Sequence, residues 1–196
     1  MTDAETKLRQ RRAGIAARNA VSAQDRQTYD ARICAQIVRT AAFESARRIL
    51  SYRHCNGEPD VDALAIAALA ADKVLAFPYC LCGGRMLARI PHDEDAFVRS
   101  KFGILEPDPA RSDICAPQEL DLIVLPCTAF DAHCCRVGMG AGYYDRFLAD
   151  CPQAVRVVVA YESQRVNAVP AQPHDLPGDL VITEHARYTR RRCGKR

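Results

Sequence analysis

The chain has 196 residues, 48% of them apolar and 26% charged, with 27 Lys and Arg against 24 Asp and Glu. That is the balance of one globular domain able to bury about 70% of its unfolded surface, and it excludes a disordered chain, a collagen or a coiled coil. A net charge of +3 suits anionic ligands without calling for nucleic acid, and no apolar run approaches the roughly 18–20 residues of a membrane span.

Residues 6–19, rich in Ala and Arg with Lys7 and Gln10, predict a first helix. Ser22, with Asp25 three residues on, predicts the cap of a second helix running to about residue 43, with Ile33, Ile37 and Val38 on one stripe. Strands and helices then alternate. Strands are expected at 48–52, 73–77 (ended by Pro78), 86–90 (ended by Pro91), 122–125, 155–160 and 180–183, and helices at 63–71 and from 142 to 149. The proline-bearing stretches 91–118 and 167–178 read as loops, and the Arg- and Lys-dense end, 187–196, as a solvated tail. This alternation predicts an α/β fold: a single domain over 1–196, helical through residue 45, with a mostly parallel central sheet flanked by helices.

Ten cysteines stand out. None forms a C-x-x-C pair, so the common zinc and thioredoxin patterns are missing. The chain also opens on polar and basic residues without an apolar signal segment. Together these predict free, mostly buried thiols in a reducing cytoplasm. A cysteine-based metal or redox protein is the competing reading, with His133-Cys134-Cys135 and Cys80-Leu81-Cys82 as its close clusters.

The chemistry concentrates in residues 122–148, LIVLPCTAFDAHCCRVGMGAGYYDRFL. An apolar strand enters a loop with Gly138, Gly140 and Gly142 at alternate positions, and a helix-like segment follows. Such a loop lets backbone N–H groups approach a phosphate. Arg136 adds a permanent cation, and Asp145 is a hard oxygen ligand suited to Mg2+ beside phosphate. The spacing is neither the P-loop nor the Rossmann fingerprint, and by itself it does not decide between a phosphate seat and a tight glycine-rich turn.

The longer string FD-x-x-C-C-R-V-G-M-G-A-G-Y-Y-D-R resembles the 5-formyltetrahydrofolate cyclo-ligase (methenyltetrahydrofolate synthetase) family. That family reads roughly FD-x-x-G-x-R-L-G-x-G-x-G-Y-Y-D-R. The match holds at Phe130, Asp131, Arg136, Gly138, Gly140, Gly142, Tyr143, Tyr144, Asp145 and Arg146, with Val137 for Leu and Cys134 for a Gly. Further elements follow in the family's order. These are Lys7-x-x-x-Arg11, PDVDA at 59–63 where the family often has E-V-D-T, FGILEP at 102–107, Glu162-Ser163-Gln164, His174-Asp175 and Thr183-Glu184. The resemblance therefore covers nearly the whole chain.

It implies a Rossmann-like domain of the cyclo-ligase/NagB type and ATP- and Mg2+-dependent conversion of 5-formyltetrahydrofolate to 5,10-methenyltetrahydrofolate. In the implied site Lys7, Arg11, Arg136, Val137, Gly138, Met139, Gly140, Ala141, Gly142, Tyr143 and Tyr144 hold ATP. Tyr52, Glu58, Asp60, Tyr144 and Gln164 hold the folate, with Asp60 in place of the family Glu and Glu58 close enough to share that role. Arg136, Tyr144 and Asp145 carry the chemistry, Asp145 as the metal ligand. The expected partners are ATP and 5-formyltetrahydrofolate, without nucleic acid or membrane, in a monomer or homodimer. Without the resemblance, Lys7 and Arg11 read as a solvated helix face and His133 as an exposed loop histidine. Two alternatives stay open: a non-catalytic nucleotide- or folate-binding homologue, and another α/β enzyme such as a sugar-phosphate isomerase.

Overall fold

The computed structural model describes residues 2–101, 103–173 and 175–190. Phe102, His174 and the basic end from 191, with Cys193, lie outside the described residues. Thr2 caps α1 (Asp3–Asn19) in a reciprocal bond with Glu5, and Ser22 caps α2 (Ala23–Val38) through the Asp25 N–H. The second helix does not run on to residue 43. Thr40 interrupts it: its hydroxyl donates to the Ile37 carbonyl at 2.7 Å and accepts from the Phe43 N–H at 3.1 Å, starting α3 (Ala41–Ser45).

The remaining elements are β1 (Arg48–Leu50), α4 (Asp62–Ala70), β2 (Val74–Cys80), β3 (Met86–Pro91), β4 (Phe97–Arg99), β5 (Leu105–Pro107), β6 (Ser112–Cys115), β7 (Leu122–Pro126), β8 (Ala129–Phe130), β9 (Arg136–Val137), α5 (Tyr143–Leu148), β10 (Val155–Val159), β11 (Leu180–Ile182) and β12 (Arg187–Thr189). Eight strands form the main sheet in the order β12-β11-β10-β7-β1-β2-β3-β6. The stretch from β11 to β2 is parallel, and the flanking strands β12, β3 and β6 are antiparallel.

Three further expectations change. Pro78 does not end β2, because β1 stops opposite Ala76 and the strand beyond has a partner on the β3 side alone. Residues 91–118 are not all loop. β6 extends the sheet, and the β4–β5 hairpin sets Phe97 edge-to-face on Phe77 at 5.2 Å, a tertiary contact that overrides the local proline content. Arg187 to Thr189 of the supposed tail pair with β11.

Successive residues of each central strand enter opposite cores, the period-two rule applied to a sheet covered on both faces. Ile49, Leu122, Val124, Val157 and Val159 pack with Ile33, Ile37 and Leu64 under α2 and α4. Leu50, Ile123, Leu125 and Val158 pack on the other side with Phe147 and Leu148 of α5.

The chain leaves β1 toward β2 on one side and β7 toward β10 on the other, so the order reverses between β1 and β7. In open α/β sheets ligands bind outside the carboxyl ends of the strands at such a reversal. Here that position is shared by residues 51–61, which follow β1, and residues 127–142, which follow β7. The helix α1 lies across the same place. It packs not on an apolar stripe but through Gly14 and Arg18, its two buried residues. A Cβ on Gly14 would overlap the Thr128 carbonyl. Gly14→Ala is therefore expected to destabilise the fold by about 1–3 kcal/mol in urea denaturation, despite a helix-propensity gain of about 1 kcal/mol. An unchanged or raised stability would mean that α1 does not sit this close.

Candidate active site

Lys7, Arg11, Gly14 and Arg18 recur at steps of four, three and four, which places them on one face of α1. With Gly14 against β7's end, the three basic residues overlie the loops at the sheet reversal. Arg11 Nε donates to the Gly138 carbonyl at 2.7 Å, and its Nη2 would lie 3.1 Å from a Cβ on Gly140. Lys7 pairs with Asp175, whose carboxylate also accepts the Gln172 N–H at 2.7 Å.

The segment after β7 is a small hairpin, β8 against β9, with a turn tied by Asp131. Asp131 is buried, and its Oδ1 accepts the N–H groups of His133 at 2.9 Å and Cys135 at 3.1 Å. Its Oδ2 accepts from Val169 at 2.9 Å, which fastens the 167–178 loop to the hairpin. Cys134 takes φ +65°, the left-handed conformation that a glycine adopts freely. The strain, of order 1–2 kcal/mol, is offset by full burial of its side chain against the α5 side of the sheet.

That hairpin delivers Arg136 to the start of β9. Its side chain is 4% exposed and its Nη2 meets Asp145 Oδ1 at 2.8 Å, while Nε is buried without a partner. Beyond it, Gly140 and Gly142 take φ +100° and +69°, and Gly142 begins α5. Among the described residues no backbone N–H from 138 to 142 meets an acceptor. Arg146 ties the loop to its neighbours, bonding the Ala141 carbonyl and, at 2.9 Å, the Gly84 carbonyl. At six residues, α5 adds little dipole of its own. The positive character of the loop comes from Arg11, Arg136 and the free N–H groups. His133, Cys135, Arg136, Asp175, Leu176 and Arg190 line an open cavity of about 310 Å³ beside it.

The other wall is the 51–61 segment, gripped from several sides. Tyr52 donates to the Pro59 carbonyl at 2.7 Å, and Arg26 donates to the Gly57 carbonyl at 2.8 Å. Of its carboxylates, Glu58 turns inward and Asp60 outward. Glu58 is buried, with Oε2 accepting the Cys55 N–H at 3.2 Å and Oε1 facing Arg18 Nη1 at 3.7 Å. Asp60 accepts the Asp62 N–H at 2.8 Å, two residues on, where the chain enters α4. Burial raises the Glu58 pKa, and the Arg18 charge is the first influence opposing that rise. Burial also raises the Tyr144 phenol, with Glu58, Cys80 and Arg136 among the groups it feels. The Tyr144 phenol thus keeps its proton near pH 7.

The sequence model described as the 5-formyltetrahydrofolate cyclo-ligase family matches residues 2–184. The chain belongs to this family. It is 26% identical over 170 residues to the 5-formyltetrahydrofolate cyclo-ligase of Escherichia coli K12, covering 85% of this chain and 93% of that one. The Mycolicibacterium smegmatis 5-formyltetrahydrofolate cyclo-ligase is 27% identical over 150 residues, 71% of this chain and 74% of that one. Among solved structures, the 5,10-methenyltetrahydrofolate synthetase of Aquifex aeolicus superposes with a TM-score of 0.83 at 26% identity, over 96% of this chain and 95% of that one.

The residues that the cyclo-ligase resemblance singled out are mostly together. Lys7, Arg11, Arg136, the 137–144 loop and Asp145 form one wall, and Tyr52 and Glu58 belong to the other. Gln164 is turned inward. It is 1% exposed, with Nε2 on the Cys127 and Thr128 carbonyls at 2.9 and 3.0 Å and Oε1 on the Tyr161 N–H at 2.9 Å. It holds β7's exit and does not reach the cavity. Tyr143 reaches the Leu81 carbonyl at 3.3 Å. His133 is exposed. Arg18 and Arg146 belong to the site's framework; Arg146 was matched in the family string without a role, and Arg18 was not singled out. The step from Lys7 and Arg11 to position 18 on the same helical face is the signal that points to Arg18.

The nine described cysteines are free, and no cysteine among the described residues joins a cluster of three or more possible metal ligands. Burial raises Cys34 and Cys134 to about 11 and Cys55, Cys80, Cys127 and Cys151 to about 12, the behaviour of apolar-site thiols.

Asp131→Ala removes the acceptor of three N–H groups in the hairpin and the 167–178 loop. The expected loss is about 3 kcal/mol in urea denaturation. A change under about 0.5 kcal/mol would show that the carboxylate does not clamp the two segments.

Proposed function

We propose that this chain converts 5-formyltetrahydrofolate and ATP to 5,10-methenyltetrahydrofolate, ADP and phosphate in the cytoplasm. The observation that carries the reading is one juxtaposition. A cationic loop with unpaired N–H groups faces a buried carboxylate and phenol across the carboxyl ends of β1 and β7. The first wall suits a triphosphate, and the second suits a reduced pterin, whose ring N–H and amino groups are donors.

The formyl carbon of the substrate is a weak electrophile because N5 donates into the carbonyl, and its oxygen is a poor leaving group until it is phosphorylated. In the proposed sequence the γ-phosphoryl group passes from ATP to that oxygen and ADP departs. N10 then attacks the formyl carbon, phosphate leaves with the oxygen, and the N10 proton goes to water. Phosphoryl transfer is chiefly positioning and charge stabilisation. Arg136 and Arg11 supply fixed charge at the loop, and Lys7 adds to it from the same helix while held by Asp175. The residues from Gly138 to Gly142 supply backbone donors, and Gly140 lets the chain approach without a side chain pressing on Arg11. Glu58 accepts from the pterin, Tyr52 and Asp60 shape its loop, and Tyr144 donates toward the reacting end.

Asp145 fits a Mg2+ role when ATP brings the other ligands. Both of its hydrogen bonds, from Arg136 and from the Leu176 N–H, fall on Oδ1, so Oδ2 is the oxygen for a cation. A bound Mg2+ would neutralise charge on the phosphates. The same geometry argues against the non-catalytic alternative, because Cys134 keeps the left-handed turn its glycine counterpart would make.

Purified protein with ATP, Mg2+ and 5-formyltetrahydrofolate should produce the methenyl chromophore and consume ATP only when folate is present. Arg136→Ala should lower turnover by about 10²–10³-fold while its circular dichroism stays that of the wild type. Near wild-type turnover in the variant would remove Arg136 from the phosphate site. Folate binding without ATP consumption would favour the non-catalytic homologue.

A further inference from the structure

Arg18 is the charge in this fold whose placement stability does not explain. It is fully buried, with its side chain 1% exposed. Its Nη1 lies 3.5 Å from the Cys127 carbonyl, and its Nε and Nη2 are buried without a hydrogen-bond partner. A guanidinium out of water with unmet donors is unfavourable, and an apolar side chain of similar size would relieve it. Its ion-pair contact among the described residues is Glu58 Oε1, at 3.7 Å.

We propose that Arg18 is a positioning residue for the folate: sealed beneath the site and touching no ligand, it keeps Glu58 an anion with a fixed orientation, ready to accept the donors of the pterin edge. This rests on the functional reading above. The backbone on both sides of the pair is held by one residue of α2, since Arg26 donates to the Arg18 carbonyl at 2.6 Å and to the Gly57 carbonyl at 2.8 Å. Arg26 also bonds Tyr161, which donates to the buried Asp30 at 2.7 Å. Arg18 and Glu58 are therefore set against each other before any ligand arrives.

The groups around Glu58 leave Arg18 as the fixed cation in ion-pair range. From its own segment come the Cys55 N–H and thiol and the exposed His54; from β1's end, Tyr52; from α5, Tyr144; and from β7's exit, Cys127. Tyr52, Tyr144, Cys55 and Cys127 are all raised by burial and are neutral near pH 7. Burial favours the neutral acid of Glu58, and Arg18 opposes that. A protonated Glu58 presents an O–H donor where the pterin also presents donors, so folate affinity should fall as Glu58 takes up its proton. Without Arg18 the proton is taken up at higher pH, and affinity lost near neutrality should return as pH rises.

The test follows Glu58 directly by carboxyl ¹³C NMR titration, assigned with Glu58→Gln, in the wild type, Arg18→Met and Arg18→Lys. It is paired with KM values for 5-formyltetrahydrofolate and ATP across pH. Arg18→Met should move the Glu58 midpoint up by about one pH unit or more and raise the folate KM at least tenfold at pH 7. The ATP KM should change less than about twofold, and the folate KM should recover as pH rises. Arg18→Lys, which keeps the charge, should hold the folate KM within about fivefold of wild type, and it carries the test if the Met variant does not fold. A Glu58 midpoint unmoved by Arg18→Met overturns the pairing, and so does a folate KM raised equally at every pH or raised more than about fivefold in Arg18→Lys. A wild type that titrates as expected but binds no folate overturns the functional reading and the folate half of this one, and leaves the Arg18–Glu58 pairing standing.

Discussion

The contact between Gly14 and the Thr128 carbonyl sets the rest of the site. A helix that buries a glycine and an arginine gains little from apolar burial, so its position depends on close backbone approach and polar bonds. That approach brings Lys7, Arg11 and Arg18 over the point where the strand order reverses. It also lets one helix serve both walls: Arg11 bonds the glycine loop at 2.7 Å, and Arg18 faces Glu58 at 3.7 Å. A larger residue at position 14 would move all three cations together.

Around that contact the charges are arranged in layers. The outermost, Lys7 with Asp175 and Arg136 with Asp145, are paired cations beside an open cavity, and in the proposed function each would exchange its carboxylate for a phosphate. The innermost, Arg18 with Glu58, cannot exchange, because the Arg18 side chain is 1% exposed. Between them Gln164 and Asp131 are saturated by backbone groups, which ties the loops to one another. Cations that can exchange and a carboxylate that cannot are what a site needs when one ligand is an anion and the other a donor-rich ring.

Much of this was legible in the sequence because the informative segment is local. The apolar run of β7, the glycine spacing, Arg136, Asp145 and the following helix all lie within residues 122–148, and the strand, the loop and the helix form there as expected. The family string extended that reading to Lys7 and Arg11. What was not legible depends on contacts distant in the chain. Glu58 and Asp60 are equivalent in sequence, and only Arg18 and the α2 residues decide which one turns inward. Arg18 is not singled out in the sequence, and its burial shows only once α1 is docked. Gln164 looks available for a ligand until the carbonyls at β7's exit take both of its amide protons. Proline-rich residues 91–118 become strands because Phe77 and the edge at β3 await them, and β8 and β9 are too short for any periodicity to mark.

The claim at the centre is that α1 and the loop after β7 together form the seat of the nucleotide's phosphates. A crystal structure with a non-hydrolysable ATP analogue and Mg2+ tests it most directly. Phosphate oxygens are expected within hydrogen-bond distance of Arg11, Arg136 and the backbone N–H groups of residues 138–142, with the metal against Asp145. Nucleotide density away from that loop, or phosphates that leave α1's basic face untouched, would contradict it.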